Sequence, residues 1–197
     1  MNNDKGGTLP PFVLKVHKLK YSISGFQILS VPFLSVSFRK MLLVKGGVGA
    51  GKTHFLKVVA GALNPSEGTV EISRGGRPVE TLFIHSNPEF NFVTGRIFDE
   101  MKLMGLATPS GEYLNRDVSD FSGGELKKIS LEMATRCSKE LLIIDEPFNM
   151  LDDDELVKMK ESIIKNPSCS GFIIATHENI IDEYADNILV MENGSFV

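Results

Sequence analysis

The chain has 197 residues, of which 42% are hydrophobic and 23% charged, and its formal net charge is -4. This length suits one α/β domain with at most a small inserted subdomain. The composition is close to that of ordinary globular proteins, which argues against a disordered or fibrous chain. Nucleic-acid binding usually requires a basic excess or a basic stripe, and the sequence has neither, so we expect no nucleic-acid partner.

The two cysteines, Cys137 and Cys169, lie far apart and form no CxxC pattern. We therefore expect two reduced structural thiols and no disulfide or zinc site. No apolar run approaches the roughly 20 residues that span a bilayer. The polar N-terminus also lacks the apolar segment of a signal peptide. These features predict a cytoplasmic protein.

The first part of the chain contains short β-rich runs at residues 13–16, 27–31 and 33–36. Gly25 and Pro32 separate these runs, which predicts an antiparallel meander with one solvent-exposed face. Residues 41–44 differ, because all four are apolar, as in a buried parallel strand. Two later apolar runs have the same character, at residues 141–144 and 172–175.

A predicted helix follows each of the three apolar runs. These helices cover residues 53–63, 152–165 and 178–184. Alternation of strands and helices predicts an α/β fold with a mostly parallel sheet and helices on both faces. Residues 94–136 carry no strand pattern. We expect them to form a helical subdomain, with helices at 97–104 and 124–139, inserted between core segments 12–93 and 137–197 of a single domain.

A glycine-rich loop, which we call the phosphate loop, matches the pattern G-x-x-x-x-G-K-[ST] between a predicted strand and a predicted helix. It consists of Gly46, Gly47, Val48, Gly49, Ala50, Gly51, Lys52 and Thr53. Its glycines allow successive N–H groups to converge on a phosphate at a helix N-terminus. We expect Lys52 to reach the β- and γ-phosphates and Thr53 to complete a Mg²⁺ shell. The alternative is a strand-to-helix turn that binds nothing.

Two carboxylates, Asp145 and Glu146, follow the second apolar run. They are expected at the carboxyl edge of the sheet, where open α/β sheets bind their ligands. Asp145 is placed to hold Mg²⁺ through water, and Glu146 to accept a proton from an attacking water. The alternative is a pair of solvated loop carboxylates.

Residues 121–125 read Phe-Ser-Gly-Gly-Glu before a predicted helix. Ser122 and Glu125 have the spacing of a capping box. The two glycines between them cost helix stability, but they allow a phosphate to approach the helix N-terminus closely. We expect both capping and phosphate contact at this segment.

Taken in chain order, the phosphate loop, residues 121–125 and the pair Asp145-Glu146 resemble the ATP-binding subunit of ABC transporters, the ATP-binding cassette ATPases. The resemblance extends over roughly residues 12–197. It implies a P-loop NTPase core with a mostly parallel sheet, an N-terminal antiparallel β subdomain and a small helical insert. ATP and Mg²⁺ are the implied ligands, and ATP hydrolysis is the implied reaction, with Glu146, His177 and Lys52 as catalytic residues.

Residues 149–152 look like the family's D-loop, with Asp152 at its end, and residues 175–177 look like its H-loop. The resemblance implies that His177 contacts the γ-phosphate and that Tyr21 stacks on adenine. Each assignment has a simpler alternative. His177 could cap a helix or lie in the core, and Asp152 could be only an N-cap. Tyr21 and Phe26 both lie near the expected stacking position, and either could simply pack on the sheet.

The resemblance also implies a head-to-tail dimer with a second cassette, which could be the same chain or a related subunit. ATP would lie between the phosphate loop of one subunit and the signature of the other. The signature residues are Ser122, Gly123, Gly124 and Glu125. A separate transmembrane permease would dock on the helical insert, which would place the protein on the cytoplasmic face of a membrane.

Four residues depart from the family pattern. Ser86 stands where the family has a Gln that joins the core to the insert; it can still touch Mg²⁺ or water, but with a shorter reach. His54 replaces a small hydroxyl residue and affects one α-phosphate contact. Glu125 replaces the usual signature Gln, and Met150 replaces a small D-loop residue.

Three functions are compatible with these patterns. The first is an ATPase subunit that drives a membrane transporter. The second is an ABC ATPase of a soluble assembly, such as iron–sulfur cluster assembly; the DNA-repair branch fits poorly, because no long coiled coil separates Thr53 from Ser122. The third is a regulatory nucleotide-binding module with weak hydrolysis, which the serine at position 86 motivates.

Overall fold

The computed structural model describes residues 9–106, 116–137, 139–149, 151–165 and 171–197. Cys169 and Met150, both singled out from the sequence, lie outside these residues. Cys137 is buried and free, as expected. Among the described residues, none of the helices is long and apolar enough to span a membrane.

The first sheet is antiparallel, with strand order β2-β1-β4-β5. Its strands are β1 (Phe12–Ile23), β2 (Phe26–Phe38), β4 (Glu67–Arg74) and β5 (Arg77–Pro78). Strands β1 and β2 form a long hairpin whose two turn residues, Ser24 and Gly25, both have positive φ values of 50° and 83°. Such turns match the right-handed twist of the flanking strands.

The predicted break at Pro32 is wrong, because β2 continues through it as one strand. Strand β2 lies at the edge of its sheet. A proline at an edge does not interrupt a ladder on both sides, so the strand tolerates it. The three predicted runs therefore form two long strands.

The second sheet has the order β10-β9-β3-β8-β7-β6, and every neighbouring pair except β10–β9 is parallel. Its strands are β3 (Met41–Lys45), β6 (Thr81–Ile84), β7 (Leu141–Asp145), β8 (Gly171–Ala175), β9 (Asn187–Glu192) and β10 (Ser195–Phe196). The three apolar runs form the adjacent strands β3, β8 and β7 at its centre. The predicted α/β fold with a mostly parallel sheet is therefore confirmed.

Successive side chains of the central strands point into two different cores. In β3, Leu42 and Val44 pack into the core that helix α1 (Lys52–Val59) shares with the antiparallel sheet. Met41 and Leu43 pack into the core on the opposite face, which includes side chains of α3 (Gly123–Arg136) and α4 (Asp153–Ile164). Burying each such side chain contributes about 1.5–3 kcal/mol. Both faces of the sheet are therefore covered, as parallel sheets require.

A third cluster lies within residues 97–133, between α2 (Ile97–Leu103) and α3. It contains Ile97, Met101, Phe121, Leu126, Ile129 and Met133. The helices expected in this part of the chain are confirmed, although α3 ends at Arg136 and not at residue 139. A single β-bridge, between Arg96 and Asp117, joins the described segments of this region.

Two other helix predictions need correction. The helix expected at 178–184 is wrong: only a 3₁₀ turn forms, at Asp182–Tyr184. The N–H of Glu178 donates to the Thr176 hydroxyl and its carbonyl accepts from Lys45, so this backbone enters a loop. Helix α1 ends at Val59 and not at residue 63, because Gly61 adopts a φ of 72° just after it, as glycines that terminate helices commonly do.

Candidate nucleotide site

Four of the segments that carry predicted site residues follow the carboxyl ends of parallel strands. Strand β3 leads into the phosphate loop, β7 ends at Asp145, β8 precedes His177, and β6 precedes Ser86. Because β3, β8, β7 and β6 are neighbours and parallel, these ends meet at one edge of the sheet. This is the edge at which open α/β sheets bind ligands.

The phosphate loop has a backbone that only glycine can adopt at its ends. Gly46 has a φ of 148°, and a Cβ at this position would lie 2.3 Å from the carbonyl oxygen of Met191. Gly51 has a φ of 103° and is the N-cap of α1, with no side chain capping the helix. The first-turn N–H groups of α1 are therefore not neutralised by a capping side chain, which suits an anion at this terminus.

Lys52 is buried, and its ammonium lies inside the loop. Its Nζ donates to the carbonyls of Gly46 at 2.8 Å and Gly47 at 3.1 Å. It also lies 3.2 Å from Oε1 of Glu146. The lysine and the carboxylate that the sequence predicts to be catalytic are thus in direct contact.

Thr53 and Asp145 also meet, since the Thr53 hydroxyl donates to Oδ2 of Asp145 at 2.9 Å. The other carboxylate oxygen, Oδ1, is buried and has no hydrogen-bond partner among the described residues. A buried carboxylate oxygen without a partner is costly. A hydroxyl next to such an oxygen is a donor set that Mg²⁺ accepts, so the residues fit this ion.

Glu146 contacts both Lys52 and His177. Its Oε1 lies 3.2 Å from Nζ of Lys52, and its Oε2 lies 3.1 Å from Nδ1 of His177. The Glu146 side chain is 12% exposed, whereas that of His177 is 49% exposed. Glu146 also has a φ of 48°, unusual for a residue with a side chain. Such strain costs on the order of 1–3 kcal/mol and persists mainly at functional sites.

Tyr21 lies beside His54, with the ring centroids 5.7 Å apart. His54 follows Thr53 in α1 and lines the cleft of the phosphate loop with Ile28. Burial lowers the pKa of His54, and Lys57 lowers it further, although Asp145 opposes this effect. Phe26 lies at the exposed tip of the hairpin. Of the two aromatic candidates, Tyr21 is therefore the one in contact with the residue next to the phosphate loop.

The segment Ser122–Glu125 forms the capping box that its spacing predicts. Ser122 Oγ accepts from the N–H of Glu125 at 3.3 Å, and Oε2 of Glu125 accepts from the N–H and the hydroxyl of Ser122, both at 2.8 Å. These two hydrogen bonds from Ser122 lower the pKa of Glu125. Ser122 and Gly123 are exposed, so a second molecule can reach this helix N-terminus.

Asp152 is the N-cap of α4, where its carboxylate accepts from the N–H of Glu155 at 2.8 Å. The capping role that the sequence left open is thus present, and an active-site role of Asp152 remains a prediction. Ser86 lies two residues after β6 at the carboxyl edge of the sheet. Its contact with Mg²⁺ also remains a prediction.

Two lysines that sequence reasoning missed hold the loops of this site. Lys127, in α3, donates to the carbonyls of Glu146 and Asn149. Lys45, at the end of β3, contacts the carbonyl of Glu178 and the side chain of Asn179 after His177. A signal for Lys127 exists in the sequence: it precedes Leu131 and Ala134 at helical spacing, on a face that is otherwise apolar.

Comparison with known proteins agrees with this geometry. The family model described as "ABC transporter" matches residues 33–149, more than half of the chain. ABC transporter I family member 10 of Arabidopsis thaliana is 26% identical over 93% of this chain and 76% of that protein. The thiamine import ATP-binding protein ThiQ of Haemophilus influenzae is 28% identical over 82% of this chain and 87% of that protein.

Other relatives are longer than the chain, which spans 32% of an uncharacterised ABC transporter ATP-binding protein of Methanocaldococcus jannaschii. Among solved structures, an ATP-binding subunit of an ABC transporter has a TM-score of 0.73 at 19% identity, over 93% of this chain and 88% of that one. At this identity the match shows the fold alone. The family model, the curated relatives and the ATP-site geometry agree, and the chain belongs to the ABC transporter family as an ATP-binding cassette, an ATPase that energises transport.

Proposed function

We propose that the chain hydrolyses Mg²⁺-ATP with Glu146 as the general base, in a head-to-tail dimer that drives a separate permease. The observation that carries this proposal is the position of the Glu146 carboxylate. It lies between Lys52 and His177, at 3.2 Å and 3.1 Å, at the sheet edge where the phosphate loop ends. A base at this point adjoins both groups that would contact the γ-phosphate.

The remaining residues of the site would bind different parts of Mg²⁺-ATP. The amides of the phosphate loop and of α1 would receive the phosphates, and Lys52 would exchange its Glu146 contact for phosphate oxygens. Thr53 and Asp145 would hold Mg²⁺, which neutralises phosphate charge when bound, and Ser86 would support a water of that ion. Tyr21 and His54 would flank the adenosine.

The signature supports the dimer. Ser122 and Gly123 are exposed at the N-terminus of α3, and the resemblance implies that they would face the ATP of a second subunit. There, Ser122, Gly123, Gly124 and Glu125 would meet the γ-phosphate, and Asp152 would lie near the same interface. Closing two such surfaces around ATP would neutralise its charge from both sides and exclude water.

A cleft of about 420 Å³ next to Ser86 supports a permease as the partner. It is lined by residues of the core and of the segment 94–136, including His85 and Met104, and by Phe90, which is 69% exposed. We propose that segment 94–136 is the helical subdomain on which the permease docks at the cytoplasmic face of a membrane. Ser86 follows His85, which lines this cleft. By the resemblance, residue 86 would link the cleft to the ATP site, and its shorter side chain would weaken the coupling between them.

The test is a comparison of the wild-type protein with Glu146→Gln. Both should bind Mg²⁺-ATP, and ligand at 100 times its Kd should raise the free energy of unfolding by about 2.7 kcal/mol. Turnover by Glu146→Gln should fall by about 10²–10⁴-fold, because the amide cannot accept the proton.

Glu140→Gln is the matched control. It removes a carboxylate that lies just before the opposite end of β7 and pairs with Arg77, and it should hydrolyse ATP at the wild-type rate. Wild-type turnover by Glu146→Gln would show that another group is the base.

A further inference from the structure

Lys127 is a buried cation that the mechanism above does not use. It lies in the second turn of α3, five residues after Ser122, and is 7% exposed. Its Nζ donates to the carbonyl oxygen of Glu146 at 2.9 Å and to that of Asn149 at 2.8 Å. One ammonium thus joins the signature helix to both ends of the turn that follows β7.

A buried lysine at this position is costly. Burial lowers the pKa of Lys127, although Glu146 and Asp145 oppose this effect. Leu131 and Ala134 follow at helical spacing and pack directly into the core on this face of the sheet. An apolar side chain at position 127 would serve packing at lower cost, so the ammonium has a role that packing does not explain.

The contact of Lys127 is with the backbone of Glu146, which is in the left-handed region. Its N–H donates to Ala175 at 2.9 Å, and its carbonyl accepts from Lys127. These two contacts fix the peptide groups on either side of the Cα. They therefore set the direction in which the carboxylate leaves the backbone, towards Lys52 and His177.

We propose that Lys127 is a positioning residue, which holds the backbone of Glu146 so that its carboxylate keeps the orientation needed for hydrolysis. This inference rests on the proposed role of Glu146 as the base. Because Lys127 is rigidly connected to Ser122 through α3, a displacement of the signature also moves the contact at Glu146. Contact with the second subunit's ATP is thereby linked to the base of the first.

The experiment compares Lys127→Met with Lys128→Met. Methionine keeps most of the length of lysine but donates no hydrogen bond. Lys128 lies on the same helix, is 41% exposed and pairs with Glu155, so its replacement controls for the loss of a cation from α3. Turnover, the Kd for Mg²⁺-ATP and the thermal unfolding temperature are measured for both variants.

Lys127→Met should lower kcat by about tenfold or more, because a small displacement of a catalytic group has an effect of this size or larger. Its Kd for Mg²⁺-ATP should stay at the wild-type value, since the two hydrogen bonds of Lys127 go to the carbonyls of Glu146 and Asn149, outside the phosphate loop. Lys128→Met should keep the wild-type kcat. If Lys127→Met does not fold, Lys127→Gln takes its place. Its amide can still donate but is shorter and uncharged, so its kcat should lie below that of Lys128→Met.

The same substitution in the Glu146→Gln background separates this inference from the proposed function. If Lys127 acts through Glu146, the double variant should match Glu146→Gln within about twofold. Wild-type kcat in the Lys127 variant that folds, with Glu146→Gln inactive, would overturn the positioning role alone. A further loss of kcat in the double variant equal to that in the single variant would also overturn it. Wild-type turnover by Glu146→Gln would overturn both proposals.

Discussion

The N-termini of α1 and α3 differ in whether a side chain caps their unpaired N–H groups. Helix α1 begins at Gly51, with no side-chain cap and no acidic residue in its first turn. Helix α3 begins at Ser122, with a complete capping box and Glu125 in its first turn. Unpaired N–H groups at a helix start must find an acceptor. At α1 that acceptor is left for the ligand, whereas at α3 the chain supplies its own.

This difference distinguishes the two halves of the proposed ATP site. The phosphate loop offers amides that no side chain neutralises, so it can bind phosphate within one subunit. At the signature, a phosphate must share the helix terminus with the carboxylate of Glu125, which accepts two hydrogen bonds from Ser122. In the proposed dimer, the signature would therefore suit a contact that forms late, when a second subunit brings its ATP.

The largest expected effect comes from Gly46→Ala, which alters the loop that leads into the uncapped N-terminus of α1. The new Cβ would lie 2.3 Å from the Met191 carbonyl, at a φ of 148°. We expect a loss of roughly 3 kcal/mol or more in the free energy of unfolding, measured with urea, together with loss of ATP binding.

Gly47→Ala is the matched control for folding, because a Cβ there meets nothing within 4 Å. Its urea midpoint should stay close to that of the wild type. Equal midpoints for the two alanine variants would show that the backbone at Gly46 is not constrained as described.

A smaller effect is expected from Ser122→Ala, which removes the side-chain cap of α3. The N–H of Glu125 loses its acceptor, and the free energy of unfolding should fall by about 1 kcal/mol. Urea denaturation measures this loss. Ser162→Ala, at an exposed serine inside α4, should change stability by less. A stabilising effect of Ser122→Ala would contradict the capping box.

The smallest effect is the pH dependence of the same cap. Hydrogen bonds from Ser122 lower the pKa of Glu125 in the folded state. The ionised form therefore stabilises the folded state fully above the unfolded pKa of about 4.3, and this contribution is lost as the pH falls through the lower, folded value. Helix α1 has no acidic residue in its first turn, so its N-terminus has no corresponding pH-dependent contribution to stability.

The measurement compares the wild type with Glu125→Gln by denaturation at several pH values. The glutamine keeps a similar shape but does not titrate. The stability difference between the two should be constant above about pH 5 and shrink on acidification. A difference that grows as the pH falls would contradict the direction of the pKa shift.

Much of the site could be predicted from the sequence because its determinants are local. The phosphate loop follows a buried strand and opens a helix, and Asp145 and Glu146 end another buried strand. Each pattern lies within about ten residues and uses residue types with few other uses at that spacing. The strands β3, β7 and β8 could be recognised for the same reason, because strands buried on both faces have continuous apolar runs and no alternation of apolar and polar residues.

Local patterns failed where a distant contact decided the conformation. Pro32 is a break signal, yet its position at a sheet edge makes it tolerable. The segment after His177 looks helical, yet Lys45 and Thr176 bind its first backbone groups. Helical spacing places Lys127 on the apolar face of α3, but only the packing of α3 against the sheet shows that its ammonium reaches the Glu146 carbonyl.

The sequence by itself therefore determined the two glycine-rich segments, the acidic pair and the apolar strands, because their chemistry depends on neighbours along the chain. Only the tertiary structure decided which groups touch. It placed Glu146 in contact with both Lys52 and His177, left one oxygen of Asp145 without a hydrogen-bond partner in the described part of the chain, and turned Lys127 towards the backbone of Glu146. The physical reason is that these contacts join residues that are distant in sequence, whose distances depend on strand order and helix packing.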